Sequence, residues 1–149
     1  MVEEGCECVV MEVSSQGLKL DRTAGIPFEI GIFTNLGEDH IGPNEHKDFE
    51  DYKRCKGLLF QQCRVGIANA DDRYFKDVFK NATCKVETFG FCKEADLRAE
   101  DVNLVSRPGY LGVAYHVAGV MDFDVEIDVP GTFSVYNSLT AIAVCRHFD

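Results

Sequence analysis

The sequence predicts an α/β fold, a mostly parallel sheet with flanking helices and an antiparallel edge sheet. Three observations predict it. Nearly continuous apolar runs at 9–13 and 30–36 suit strands covered on both faces. Phe49, Tyr52, Leu59, Phe60 and Cys63, spaced by three, four and seven, form the stripe of a helix within 45–63. The last third, from 102 to 129, alternates apolar and polar residues with a period of two, as half-covered antiparallel strands do.

Taken in order, the first run, Val-Val-Met-Glu-Val, is expected as strand one, broken only by Glu12. The second run ends in Thr34-Asn35-Leu36 and is expected as strand two. After the long helix, 64–68 is a strand candidate. Asn69-Ala70-Asp71-Asp72 follows as a turn with a helix cap, then 73–80 as a short helix and 85–91 as another strand, a βαβαβ rhythm. Val102 and Leu104, then Leu111, Val113, Tyr115 and Val117, then Phe123, Val125, Ile127 and Val129 are read as antiparallel strands. Their turns are expected at Arg107-Pro108-Gly109 and Gly119. Pro130-Gly131 breaks the chain, and Thr132 or Ser134 is expected to cap a final helix carrying Val135, Leu139, Ile142, Ala143 and His147. No repeat, low-complexity tract or linker interrupts 1–149, so a single domain is expected. Both ends read as cut, with Val2-Glu3-Glu4-Gly5 resembling a helix tail and Cys145 stopping short of a Gly or Pro stop.

Fifteen Lys and Arg face 25 Asp and Glu among 149 residues, a net charge of −10. A duplex-binding surface needs clustered cations, so no nucleic-acid partner is expected. A hydrophobic fraction of 46% with a mean hydropathy of −0.11 suits a packed globular chain. No apolar run approaches the roughly 20 residues of a membrane span. The start shows neither a basic nor an apolar signal region, so a cytoplasmic location is expected. The seven cysteines include no CxxC pair, and the spacing of Cys6 and Cys8 gives no zinc ribbon. Cys55, Cys63 and Cys145 read as small buried thiols.

Three residues stand out chemically. Glu12 interrupts an apolar run, where an ionised carboxylate must be paired or meet a cation. His40 follows the second run, and parallel strands would open it onto the same carboxyl edge as Glu12. Carboxylate, imidazole and backbone oxygen suit a hard divalent cation, although a salt-bridged Glu and a loop His are the plain alternatives. Lys56 lies on the otherwise apolar helix stripe. A desolvated amine there could react with carbon dioxide to give a carbamate, or the side chain could run along the stripe with its ammonium in water. There is no G-x-S-x-G elbow, no G-x-x-x-x-G-K-[ST] loop and no G-x-G-x-x-G loop.

Several separated motifs nevertheless agree in order with one family. They are Met11-Glu12-Val13-Ser14-Ser15-Gln16-Gly17-Leu18 with Arg22, Phe33-Thr34-Asn35-Leu36, Asp39-His40-Ile41, Tyr52-x-x-Cys55-Lys56-x-x-Leu59-Phe60, Asn69-Ala70-Asp71-Asp72 and Pro130-Gly131-x-Phe133-x-Val135-Tyr136-Asn137. Together they resemble the central domain of Mur ligases, with a fold like that of the P-loop NTPases. The resemblance is strongest to the branch that extends a UDP-MurNAc-dipeptide. It implies an ATP- and magnesium-dependent amide ligase of peptidoglycan synthesis, working through an acyl phosphate that diaminopimelate or lysine attacks. By the same resemblance, Glu12, His40 and a carbamylated, catalytic Lys56 hold magnesium, Ser14 and Arg22 bind the UDP-sugar substrate, and Asn137 contacts adenine.

The family's phosphate loop and UDP-binding domain would lie before Met1 and its amino-acid-binding domain after Asp149. The chain is thus expected as a truncated ATP-binding domain, inactive alone and partnered by the other domains of its parent. The chain departs from the usual pattern in a longer His40-to-Lys56 interval, in Gly42 where Asp is common and in Ser134 where Asn is frequent. A related ligase, acting on folate or another Mur substrate, and a non-catalytic nucleotide- or partner-binding module are the competing expectations.

Overall fold

The structure, a computed structural model, describes residues 2–37, 41–42 and 45–148. Among these residues six strands form one sheet: β1 (Phe28–Phe33), β2 (Cys63–Asn69), β3 (Lys85–Gly90), β4 (Leu97–Arg107), β5 (Tyr110–Gly119) and β6 (Phe123–Ile127). Their spatial order is their chain order. The first three pairings are parallel and the last two antiparallel, so the expected fold class holds.

Among the described residues four α-helices flank the sheet: α1 (Ser15–Lys19), α2 (Phe49–Gly57), α3 (Phe75–Val78) and α4 (Thr132–Cys145). Alternation along β2 explains the layering. Val65 and Ile67 face a core closed by Val135, Leu139 and Ala143 of α4. Ala68 faces a second core built on Phe33, Tyr52, Phe60 and Val78 beneath α2 and α3. A strand covered on both faces has no polar side, which is why this stretch reads as a continuous apolar run.

Sequence expectations fail at identifiable places. Residues 9–13 form no strand. Val9, Val10 and Met11 are exposed, because among the described residues no strand pairs with them and β1 stands at the sheet's edge. The long helix stops at Gly57, where an added Cβ would meet the Val78 carbonyl oxygen, and continues as a 3-10 turn over Leu58–Gln61. Cys63 consequently opens β2. Helix α4 starts without a side-chain cap: Gly131, at φ 107, precedes it, and Ser134 Oγ donates to the Pro130 carbonyl instead. It ends at Cys145, which is exposed, whereas Cys55 is fully buried as expected and Cys63 is half-buried. The short α1, which alternation did not reveal, is capped by Ser14, whose Oγ accepts from Gly17 N at 3.0 Å. Among the described residues no helix is long and apolar enough to cross a membrane.

Candidate functional site

The carboxyl ends of β1 and β2 and the first turns of α4 enclose a hollow of about 200 Å³. Thr34, Asn35, Asn69, Asp72, Tyr136 and Asn137 are among its lining residues. Its floor is fixed by the turn after β2. Asn69 Nδ2 donates to the Thr34 carbonyl at 2.9 Å, and Asn69 Oδ1 accepts from Asp71 N at 3.0 Å. Asp72 accepts from Leu36 N at 3.0 Å and from Tyr74 N at 2.8 Å, so one carboxylate joins the loop after β1 to the approach to α3.

Asp71 ties the site's far wall. One of its oxygens accepts from Phe91 N and from the Tyr136 hydroxyl at 2.9 Å, and the other accepts from Cys92 N at 3.0 Å. Burial pushes the Asp71 carboxyl up, but these donors together hold it below the ordinary value. Burial and the adjacent carboxylate both push the Tyr136 phenol up. Asn137 is exposed at the rim, so its amide offers both donor and acceptor atoms to a planar heterocycle.

Lys56 lies in the last turn of α2. It is half-buried, with Nζ 5.7 Å from the centre of the Tyr52 ring. Asp48 caps this helix by accepting from Asp51 N at 2.7 Å, acidic residues occupy its first turn, and Arg54 and Lys56 its last, the arrangement a helix dipole favours. Ser14 and Arg22 flank α1 at its two ends: Ser14 caps the helix, and Arg22, an exposed residue, donates its backbone N–H to the Gly17 carbonyl at 2.9 Å. Glu12 is exposed in a segment without regular structure, contrary to the covered strand expected for it. His40 lies outside the described residues.

Sequence reasoning missed the buried polar pair His46 and Asp51 beneath Tyr52. Nothing in their spacing distinguishes them from an ordinary polar loop and helix start.

A family model described as the Mur ligase middle domain matches residues 1–145, and the chain belongs to that family. It is 43% identical over 145 residues to UDP-N-acetylmuramoyl-L-alanyl-D-glutamate--2,6-diaminopimelate ligase 1 of Clostridium acetobutylicum, covering 97% of this chain and 29% of that protein. It is 40% identical over 152 residues to the corresponding ligase of Clostridium perfringens, covering 99% and 30%. The chain thus spans less than a third of the length of these relatives. Two solved structures share the fold. UDP-N-acetylmuramate-alanine ligase from Thermotoga maritima aligns with a TM-score of 0.58 at 18% identity, over 80% of this chain and 25% of that one. UDP-N-acetylmuramate:L-alanyl-gamma-D-glutamyl-meso-diaminopimelate ligase from Neisseria meningitides aligns with a TM-score of 0.61 at 20% identity, over 78% and 34%.

Proposed function

We propose that residues 1–149 are the central, ATP-binding domain of a ligase that joins diaminopimelate to a UDP-MurNAc-dipeptide in peptidoglycan synthesis. The observation that carries this reading is the 43% identity, across 97% of the chain, to a relative named for that reaction. In the reaction, the dipeptide carboxylate attacks the terminal phosphorus of ATP and ADP leaves. The amino group of diaminopimelate then attacks the acyl phosphate, a C–N bond forms, phosphate departs and the amine gives up a proton.

The residues of the chain suit these groups. The hollow beside α4 offers amides from Asn35, Asn69 and Asn137 to a purine edge, and its volume of about 200 Å³ suits a base. Ser14 and the exposed Arg22 guanidinium offer a hydroxyl and a forked cation to the nucleotide-sugar. Glu12, His40 and a carbamate on Lys56 are the proposed magnesium ligands, an oxygen-rich donor set of the kind a hard cation takes. Lys56 fits the modification in one respect: the residue is only half-buried, with its amine over the Tyr52 ring, which leaves the side chain partly open to carbon dioxide. When bound, magnesium supplies positive charge against the phosphate oxygens.

The test is ligation by the full-length parent enzyme given ATP, magnesium, UDP-MurNAc-dipeptide and either diaminopimelate or lysine. Formation of the diaminopimelate product is expected. Preferential use of lysine, or no amide product at all, overturns the reading. Lys56→Ala is expected to abolish turnover, with no rescue by added bicarbonate, and normal activity in that variant removes the carbamate from the proposal.

A further inference from the structure

The loop leading into α2 and the buried side of that helix hold a cluster that the ligase reading leaves unused. His46 is fully buried, and Asp51 and Cys55, four residues apart on α2, are buried beside it. A His46 ring nitrogen, an Asp51 carboxylate oxygen and the Cys55 sulfur all lie within 4.8 Å of one another. His46 Nε2 is 2.8 Å from Ser15 Oγ. Nδ1 stands 3.4 Å from Asp51 Oδ2 yet has no hydrogen-bond partner.

That orphaned nitrogen is the informative atom. A buried polar atom without a partner keeps its desolvation cost and gains nothing in return. In the tautomer whose Nε2–H donates to Ser15, Nδ1 carries a lone pair facing the Asp51 carboxylate, and a cation between the two would satisfy both. A hydroxyl fixing the far nitrogen of the ring is the outer support that metal-binding histidines use.

We propose that His46, Asp51 and Cys55 form a buried site for a zinc-class divalent cation that clips the loop before α2 onto the helix. The nitrogen, oxygen and sulfur donors are those zinc takes, unlike the all-oxygen surroundings magnesium takes, and three protein ligands leave a fourth position for water. On binding, the Cys55 S–H bond breaks, the sulfur–metal bond forms and the proton passes to solvent. Asp51 is already paired with Lys19 at 2.7 Å and Arg54 at 2.8 Å. Those side chains are 33% and 58% exposed, so both can turn outward as the metal replaces them as countercharge.

The test uses this chain with Cys6→Ser, Cys8→Ser and Cys145→Ser, since these three exposed thiols would otherwise compete for metal. After dialysis against a chelator, cobalt(II) is titrated for the near-ultraviolet thiolate charge-transfer band, and zinc affinity is measured by competition with a chromophoric chelator. One equivalent bound with a thiolate band is expected. Cys55→Ala, a small change at a buried position, should remove the band while far-ultraviolet circular dichroism stays unchanged. Ser15→Ala should weaken zinc roughly tenfold. Absence of the band in the parent chain, or its persistence in Cys55→Ala, overturns the site. The ligase reading is judged by amide product and the metal site by thiolate coordination, so each can fail without the other.

Discussion

Glu87 shows how strongly one carboxylate can link stability to pH. It sits buried on the core side of β3, where burial alone would push its pKa up. Lys85, Arg146 and His147 reverse this and hold it at about 2, against an ordinary 4.5. Because the folded value is the lower one, this contribution is fully present above the ordinary value and is lost as pH falls from 4.5 through about 2. It amounts to on the order of 3 kcal/mol at most. Urea midpoints measured from about pH 6 to about pH 3 should therefore decline, and Glu87→Gln should flatten that decline. Equal slopes in the two proteins would remove Glu87 as the cause. His46 and Asp71 mark what letters alone conceal at this scale. The donors to Asp71 come from Phe91, Cys92 and Tyr136, which are 20, 21 and 65 positions away. Only folding brings them to the carboxylate.

Among the elements, β1 was legible from the nearly continuous apolar run at 30–36, and β4 to β6 because half-covered strands alternate. The same signal misled at 9–13: Val9 and Val10 look like core letters, but apolarity reports burial only where a partner surface exists. The start of α4 was misjudged for another reason. Thr132 and Ser134 are good capping residues in principle, but the chain turns into the helix through Gly131 at a φ that disfavours any side chain. A similar constraint at the end of β5 yields a direct prediction. Gly119 has φ 105, and a Cβ there would run into the Asp96 carbonyl, which accepts from Val120 N at 2.9 Å. Gly119→Ala is expected to cost about 1–3 kcal/mol. A thermal melt several degrees lower would bear this out, and an unchanged melt would contradict it.

Across the whole molecule, α4 is the element that closes the main core and walls the candidate nucleotide hollow. Its Tyr136 hydroxyl, bound to Asp71, is the side-chain link between those two tasks. Tyr136→Phe keeps the ring against Phe91 but drops that link, a loss of about 1 kcal/mol. On the ligase reading proposed above, this should raise the full-length protein's KM for ATP roughly fivefold with a smaller change in kcat. A loss confined to kcat would mean that the tie does not shape nucleotide binding.

The sheet's order, in which each strand neighbours the one made just before it, bears on how the molecule is synthesised. Among the described residues no strand lies between two that precede it in the chain, so each can pair with the edge left by the strand before it. The apolar face carried by Val65, Ile67, Phe89 and Val117 is covered by α4, which follows all six described strands along the chain. A chain ended before residue 132 would lack that cover, leaving an apolar face for a chaperone to grip.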